Sequence, residues 1–371
     1  MGTTGLTAQS FGRKDQREIL YTLWRALFLG LSIATIIFLF RGFLLDLAVI
    51  ALQVQPEQIP LVQDYFYVRI WDVPAYMAML TIIGWFFGMQ NAVYPLILTA
   101  FVNLLNIGLS YYLVVYQGLE IRGVAMGTVV AQYLGCALAA VLFLVRYRGL
   151  TFPLKSNELF DVRSFTRFLT MNRDLFFRTV LLTLSFGFFY SQSSTFGVLP
   201  LAISVVLMQF VNWMSYGVDG LAFAAESVVG KYAGAEDPNA TRISIKLLFG
   251  WGFIFAILYA LGYGVFYKEL FGVFTDEAEV LQAGLDYRWW AVLIPLMGFA
   301  SYLWDGIFIG LTASRSMRNA MILPFLLFLL TFYVFRNPLQ LHALFLALSV
   351  FLFARGAVQT WMFSKHGLDL P

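Results

Sequence analysis

A single cysteine, Cys136, stands in an apolar stretch of this 371-residue chain, so no intrachain disulfide can form. With only two histidines, His342 and His366, a histidine metal site or a Ser-His-Asp triad has almost nothing to be built from. Charge is scarce too: 12% of residues are Asp, Glu, Lys or Arg, about half the share in a soluble domain. The alternating pattern of a membrane β-barrel is absent. No cleavable leader is expected, because Met1 runs into small polar residues and then Arg13, Lys14 and Arg17. The nearest approach to a phosphate-binding loop, Ala225-x-x-x-x-Gly230-Lys231-Tyr232, lacks the first glycine and the Ser/Thr that would hold magnesium. ATP-driven transport, metal hydrolysis and nucleotide-cofactor chemistry are therefore not expected. A net charge of +3 is too small to suggest a nucleic-acid partner.

What the chain has in abundance is apolar surface. Hydrophobic residues make up 60% of it and aromatic residues 18%, including 38 Phe. Several uncharged runs are long enough to cross a bilayer as helices. The expected fold is an all-α polytopic membrane protein with ten full spans, at about 20–40, 64–88, 94–116, 122–146, 172–195, 201–230, 244–267, 284–310, 318–335 and 340–363. Residues 41–54 are short and interrupted by Asp46, and read as an interfacial segment.

Two stretches reappear at one fixed distance. Gly12-Arg13-Lys14-Asp15 matches Gly234-Ala235-Glu236-Asp237, and Gly84-Trp85-Phe86-Phe87-Gly88 matches Gly306-Ile307-Phe308-Ile309-Gly310; 234 − 12 and 310 − 88 both give 222. A repeat of that length implies two lobes, 1–147 and 172–371, joined by a polar linker at 148–171. Full lobes of six helices would be parallel repeats about an axis along the membrane normal. The second half starts near Thr166, so its counterpart falls about 56 residues before Met1 (166 − 222). The first lobe is accordingly expected to lack its first helix and most of its second, with 1–11 as a remnant.

Basic residues divide unevenly between alternate loops. Arg13, Lys14, Arg17, Arg146, Arg148, Lys155, Arg163, Arg167, Arg173, Lys231, Arg242, Lys246, Arg315, Arg318 and Lys365 fall on one side, against Arg41, Arg122, Lys268 and Arg336 on the other. The positive-inside rule then puts the N-terminal remnant, the linker and the C-terminus in the cytoplasm of an inner (plasma) membrane protein.

Acids inside the spans are the sharpest functional signal. Asp219 and Glu226 lie seven apart, nearly two helical turns, and so share a face. Asp305 has no basic neighbour in sequence. A carboxylate at mid-bilayer costs roughly 2.5–3.5 kcal/mol on insertion scales, so it faces a polar cavity, pairs or is protonated. One reading is exchange of a proton, cation or substrate; the other is a structural salt bridge, with Arg178, Arg288 or Arg355 as partner. Asn103 and Asn106, three apart, share a helix face and either ligate a cation or hydrogen-bond across helices. Trp85, Phe86 and Phe87 either line a cavity for flat cations or belong to the membrane belt, whereas Gly-x-Phe-x-Gly favours close helix packing. Pro74 and Pro295 are expected to bend equivalent helices.

The arrangement resembles the multidrug and toxic compound extrusion (MATE) family, nearest its DinF-like branch. In the first lobe the carrying residues are Thr7-Ala8-Gln9 through Gly12 and Asp15, Asn103-x-x-Asn106, and Gly123 to Gln132. In the second they are Asp219-Gly220 to Glu226 and Gly230, Asp305-Gly306-x-Phe308-x-Gly310, and Arg318-Asn319. The resemblance implies a secondary antiporter that exports small organic, cationic compounds in exchange for protons or sodium, as a monomer, with Asp305, Glu226, Asp219, Asn103 and Asn106 in coupling or binding. It also marks departures. Relatives often carry an acid four places after the second asparagine, where this chain has Ser110. A sodium site in some relatives uses a glutamate of the first helix of the second lobe, and here that helix has no acid beyond its entrance. A flippase for lipid-linked precursors and a non-transporting remnant stand as alternatives.

Overall fold

The computed structural model describes residues 2–51, 54–150 and 155–368. Among these the secondary structure is entirely helical. The chain divides into two compact units, Thr3–Phe165 and Thr166 onward.

The first unit contains α1 (Gly2–Gly12), α2 (Gln16–Leu39), α3 (Arg41–Ala51), α4 (Ile59–Arg69), α5 (Val73–Gly88), α6 (Val93–Tyr111), α7 (Glu120–Tyr147) and the one-turn α8 (Ser156–Leu159). The second contains nearly all of α9 (Val162–Ser194), then α10 (Val198–Gly234), α11 (Pro238–Val265), α12 (Tyr267–Gly272), α13 (Ala278–Gly284), α14 (Arg288–Gly310), α15 (Ser314–Leu339) and α16 (Leu341–His366). Nine segments among the described residues are long and apolar enough to cross a membrane. Nine of the ten expected spans correspond to them. The tenth, at 172–195, lies in α9, whose first half carries Arg167, Arg173, Asp174 and Arg178 and so dilutes its apolar character. At 37 residues, α10 measures about 55 Å, well beyond a hydrocarbon core of about 30 Å, so it must tilt or protrude.

The repeat is written into the backbone. Asp15 caps α2 by accepting from the amide of Glu18, and Asp237 caps α11 by accepting from that of Ala240, both pairs 222 apart. The residue before each cap is left-handed, Lys14 at φ 60° and Glu236 at φ 57°. A second matched turn follows α5 and α14, with Gln90 at φ 60° and Thr312 at φ 57°. α1 corresponds to the last eleven residues of α10, since Gly12 and Gly234 end them both. An N-cap side chain typically contributes about 1 kcal/mol. Asp15→Ala and Asp237→Ala should therefore lower stability by about that amount each, and nearly equally, in thermal unfolding of the purified protein.

Close helix contacts follow the same ruler. A Cβ at Gly88 would lie 2.8 Å from the carbonyl oxygen of Thr4, and one at Gly310 would lie 3.0 Å from that of Glu226; 226 − 4 is again 222. Lipid tails are as apolar as leucine, so helices associate in a membrane through close packing rather than exclusion of water. Gly-x-Phe-x-Gly serves that purpose in each unit. α14 is the hub of the second unit, meeting α10 at Gly306 and Gly310, α11 where Leu303 fills the space over Gly252, and α16 at Gly356.

The aromatic residues divide differently from expectation. Trp85 and Phe86 are fully buried in the first unit's core, where Trp85 donates to the carbonyl of Ile19 and Phe86 stacks on Tyr147. α2 and α7 cover them. The two prolines are not equivalent either. Pro74 opens α5 in its first turn, where no amide hydrogen is needed, while Pro295 lies inside α14.

Candidate functional site

Four helices of the second unit carry charge to one place. Asp305 on α14 is 7% exposed, Arg178 on α9 6%, Arg355 on α16 1% and Gln359 on α16 0%. Arg355 donates to Asp305 Oδ2 at 2.5 Å, Arg178 donates to the same oxygen, and Gln359 donates to Oδ1 at 2.9 Å. Arg355 also reaches the carbonyl of Ser301 at 3.4 Å and lies over the ring of Tyr302, 5.3 Å from its centroid. The local reason is helical spacing. Ser301 and Asp305 are four apart on α14, Arg355 and Gln359 four apart on α16, so facing stripes meet. Gly356 lets the two backbones approach: a Cβ there would lie 3.3 Å from the amide nitrogen of Ser301.

Asp219 on α10 lies within electrostatic reach of the cluster. The charges acting on it are those of Asp305, Arg178 and Arg355. It is only partly buried, and it makes no ion pair or side-chain hydrogen bond among the described residues. Two carboxylates thus face two guanidiniums. Buried polar atoms remain to spare, since Nε of Arg178, Nε and one Nη of Arg355, and Oε1 of Gln359 have no protein partner.

Glu226, 2% exposed, sits two turns further along α10, where the backbone meets Gly310. The structure brings Asp219 and Asp305 together but puts Glu226 at a separate crossing. In the first unit the two asparagines also part company. Asn106 on α6 donates to Thr128 on α7 at 2.8 Å, an interhelical bond. Asn103 lines a small cavity of about 170 Å³ with Tyr76, Thr99 and Gln132. Ser110 packs at a close approach of α6 and α7, its amide 2.8 Å from a Cβ built at Gly127.

The family model MatE matches residues 1–112 and 175–334. The chain belongs to the MATE family. It is 33% identical over 374 residues to DNA damage-inducible protein F of Escherichia coli K12, covering 99% of this chain and 80% of that protein. Protein DETOXIFICATION 43 of Arabidopsis thaliana is 24% identical over 288 residues, covering 77% of this chain and 53% of the relative. Among solved structures, the Vibrio cholerae MATE transporter VcmN in the bent form superposes with a TM-score of 0.84 at 18% identity, covering 98% of this chain and 83% of that one. The eukaryotic MATE transporter AtDTX14 gives a TM-score of 0.86 at 15% identity, covering 99% and 83%.

As a MATE protein the chain belongs to a family of membrane transporters for multidrug and toxic-compound efflux. Within this fold Asp305 of α14 and the arginines of α9 and α16 form one network, and its charges act on Asp219 of α10. Of the three arginines open as partners for Asp305, Arg178 and Arg355 take the role, while Arg288 lies over Trp289 at the start of α14. Gln359 and Tyr302 were not apparent as members. The one sequence signal for Gln359 was the spacing Arg355-x-x-x-Gln359, a buried charge with an amide one turn on.

Proposed function

We propose that this MATE protein exports small organic cations in exchange for protons, with Asp219 as the carboxylate that loads and releases the proton. The carrying observation is the asymmetry between the two acids. Asp305 is held by two guanidiniums and an amide, whereas Asp219 faces the same charges without an ion pair of its own. Neutralising Asp305 would strand two buried cations. Neutralising Asp219 changes the net charge of the cluster without removing its central pair. Sodium is less suited: a hard cation wants several oxygen ligands, and here Arg178 and Arg355 occupy Asp305.

On this reading Asp305 is the fixed counter-charge and Glu226, at the crossing of α10 and α14, transmits the change along the helix. Asn103 and Asn106 belong to the first lobe's polar surface. Protonation must favour one conformation over the other, because an ion bound equally by both drives nothing. The protein acts as a monomer in the plasma membrane, with the basic loops cytoplasmic.

Efflux of a cationic dye from vesicles under separate proton and sodium gradients tests this. Asp219→Asn should cut proton-driven efflux about a hundredfold, the scale of losing a positioned acid–base group, at unchanged membrane abundance. Wild-type efflux from that variant, or efflux driven by sodium alone, would overturn it.

A further inference from the structure

A charged cavity lies in the same unit, one turn of α9 before Arg178 and lined by none of the Asp305 cluster. It has a volume of about 420 Å³ and is lined by one end of α9 and by the turn from α14 into α15. Four guanidiniums line it, those of Arg167, Arg173, Arg315 and Arg318, against the single carboxylate of Asp174, a formal excess of three positive charges. Asp174 is 1% exposed. It accepts from Arg318 at 2.7 Å, from Ser314 at 3.3 Å and from Arg173 at 3.4 Å. Its role is to hold α9 to α15. Arg167 donates to Thr312 at 3.4 Å across the cavity.

We propose that this cavity binds the phosphate of an anionic phospholipid from the cytoplasmic leaflet. A bare topological charge excess would put arginines anywhere in these loops. Here they come from two helices and converge on one hollow, with the hydroxyls of Thr166, Thr170, Thr312 and Ser314 beside them. Guanidiniums match phosphate geometry in pairs, and basic pockets between helices on the cytoplasmic side suit lipid headgroups. The opening amides of α15 also begin at Ser314, adding positive potential for an anion. A lipid source is favoured over soluble phosphate because α9 continues with exposed Phe176 and Phe177, one turn beyond Arg173, where acyl chains would lie.

The test uses the full chain in detergent. Binding of dioleoylphosphatidylglycerol is compared with that of dioleoylphosphatidylcholine by native mass spectrometry, with inorganic phosphate as competitor. The wild type should prefer the anionic lipid about tenfold or more. Arg167→Gln with Arg315→Gln should erase the preference, while Arg167→Lys with Arg315→Lys, which keeps the charge, should retain much of it. Neither pair touches the Asp174–Arg318 clasp. Equal binding of the two lipids, an unchanged preference in the glutamine variant, or displacement of lipid by equimolar phosphate would each overturn the proposal. None of these outcomes depends on efflux, so failure here is distinguishable from failure of the proton-exchange reading.

Discussion

Asp305→Asn should be the most damaging single substitution in the second lobe. It leaves Arg178 and Arg355, both buried, facing an amide. Removing one partner of a buried pair typically costs 3–5 kcal/mol, because an uncompensated charge remains in a low-dielectric interior. The expected result is a marked loss of thermal stability, reduced membrane abundance and no ion-driven efflux from the protein that survives. Arg178→Gln in the same chain restores the cluster's net charge and should recover much of the stability. Efflux should stay low, since the fixed carboxylate that holds Arg355 beside Asp219 is still missing. Thermal unfolding of the two single variants and the double variant closes the cycle. If Asp305→Asn melts like wild type, the network is not holding the helices; if it also transports like wild type, Asp305 has no part in coupling.

Gly306→Ala is the second substitution with a large expected effect. A Cβ at that position would overlap the carbonyl of Ala222, which is backbone and cannot swing away. α14 must shift off α10, at an overpacking cost of about 1–3 kcal/mol. Gly310→Ala, whose Cβ would lie 3.0 Å from the Glu226 carbonyl oxygen, should cost less. Gly262→Ala meets open space and should be neutral or slightly stabilising. In the first lobe the order reverses along the motif. Gly88→Ala meets Thr7 Cβ at 2.5 Å and should outweigh Gly84→Ala, whose nearest contact is the Thr4 hydroxyl at 3.2 Å. Unfolding midpoints of the five variants test this ranking, and a flat response would remove the close-packing role of the motif.

Much of the fold was legible before any coordinates. Apolar runs marked ten spans, nine of which correspond to helices long and apolar enough to cross, because a helix crossing lipid must satisfy its backbone internally and present apolar side chains outward. The repeat was legible because turn chemistry is local: Asp15 and Asp237 cap the next helix through their own side chains, whatever lies elsewhere. Glycine spacing signalled close approach for the same reason. α9 falls outside those nine because its charged residues are spent on partners in α14 and α15, and hydropathy does not see partners.

The site was half legible. Asp219, Glu226 and Asp305 were flagged by the cost of charge in a bilayer. Which of them belong together was not, because Asp305 and Arg178 are 127 residues apart. Asn103 and Asn106 share a helical face, yet one lines a hollow and the other binds Thr128, a difference set by how α7 lies against α6. Trp85 and Phe86 look the same in sequence whether they line a pathway or fill a core.

By itself, then, the sequence determined the membrane class, the duplication and the acids that must be accounted for. Those follow from hydropathy, turn chemistry and desolvation, properties of residues with their near neighbours. Only the tertiary structure decided that Asp305 is clasped, that Asp219 faces the clasp without an ion pair, and that four arginines converge on one hollow. Those outcomes depend on how helices distant in sequence pack, and packing sets which charges are close enough to neutralise one another.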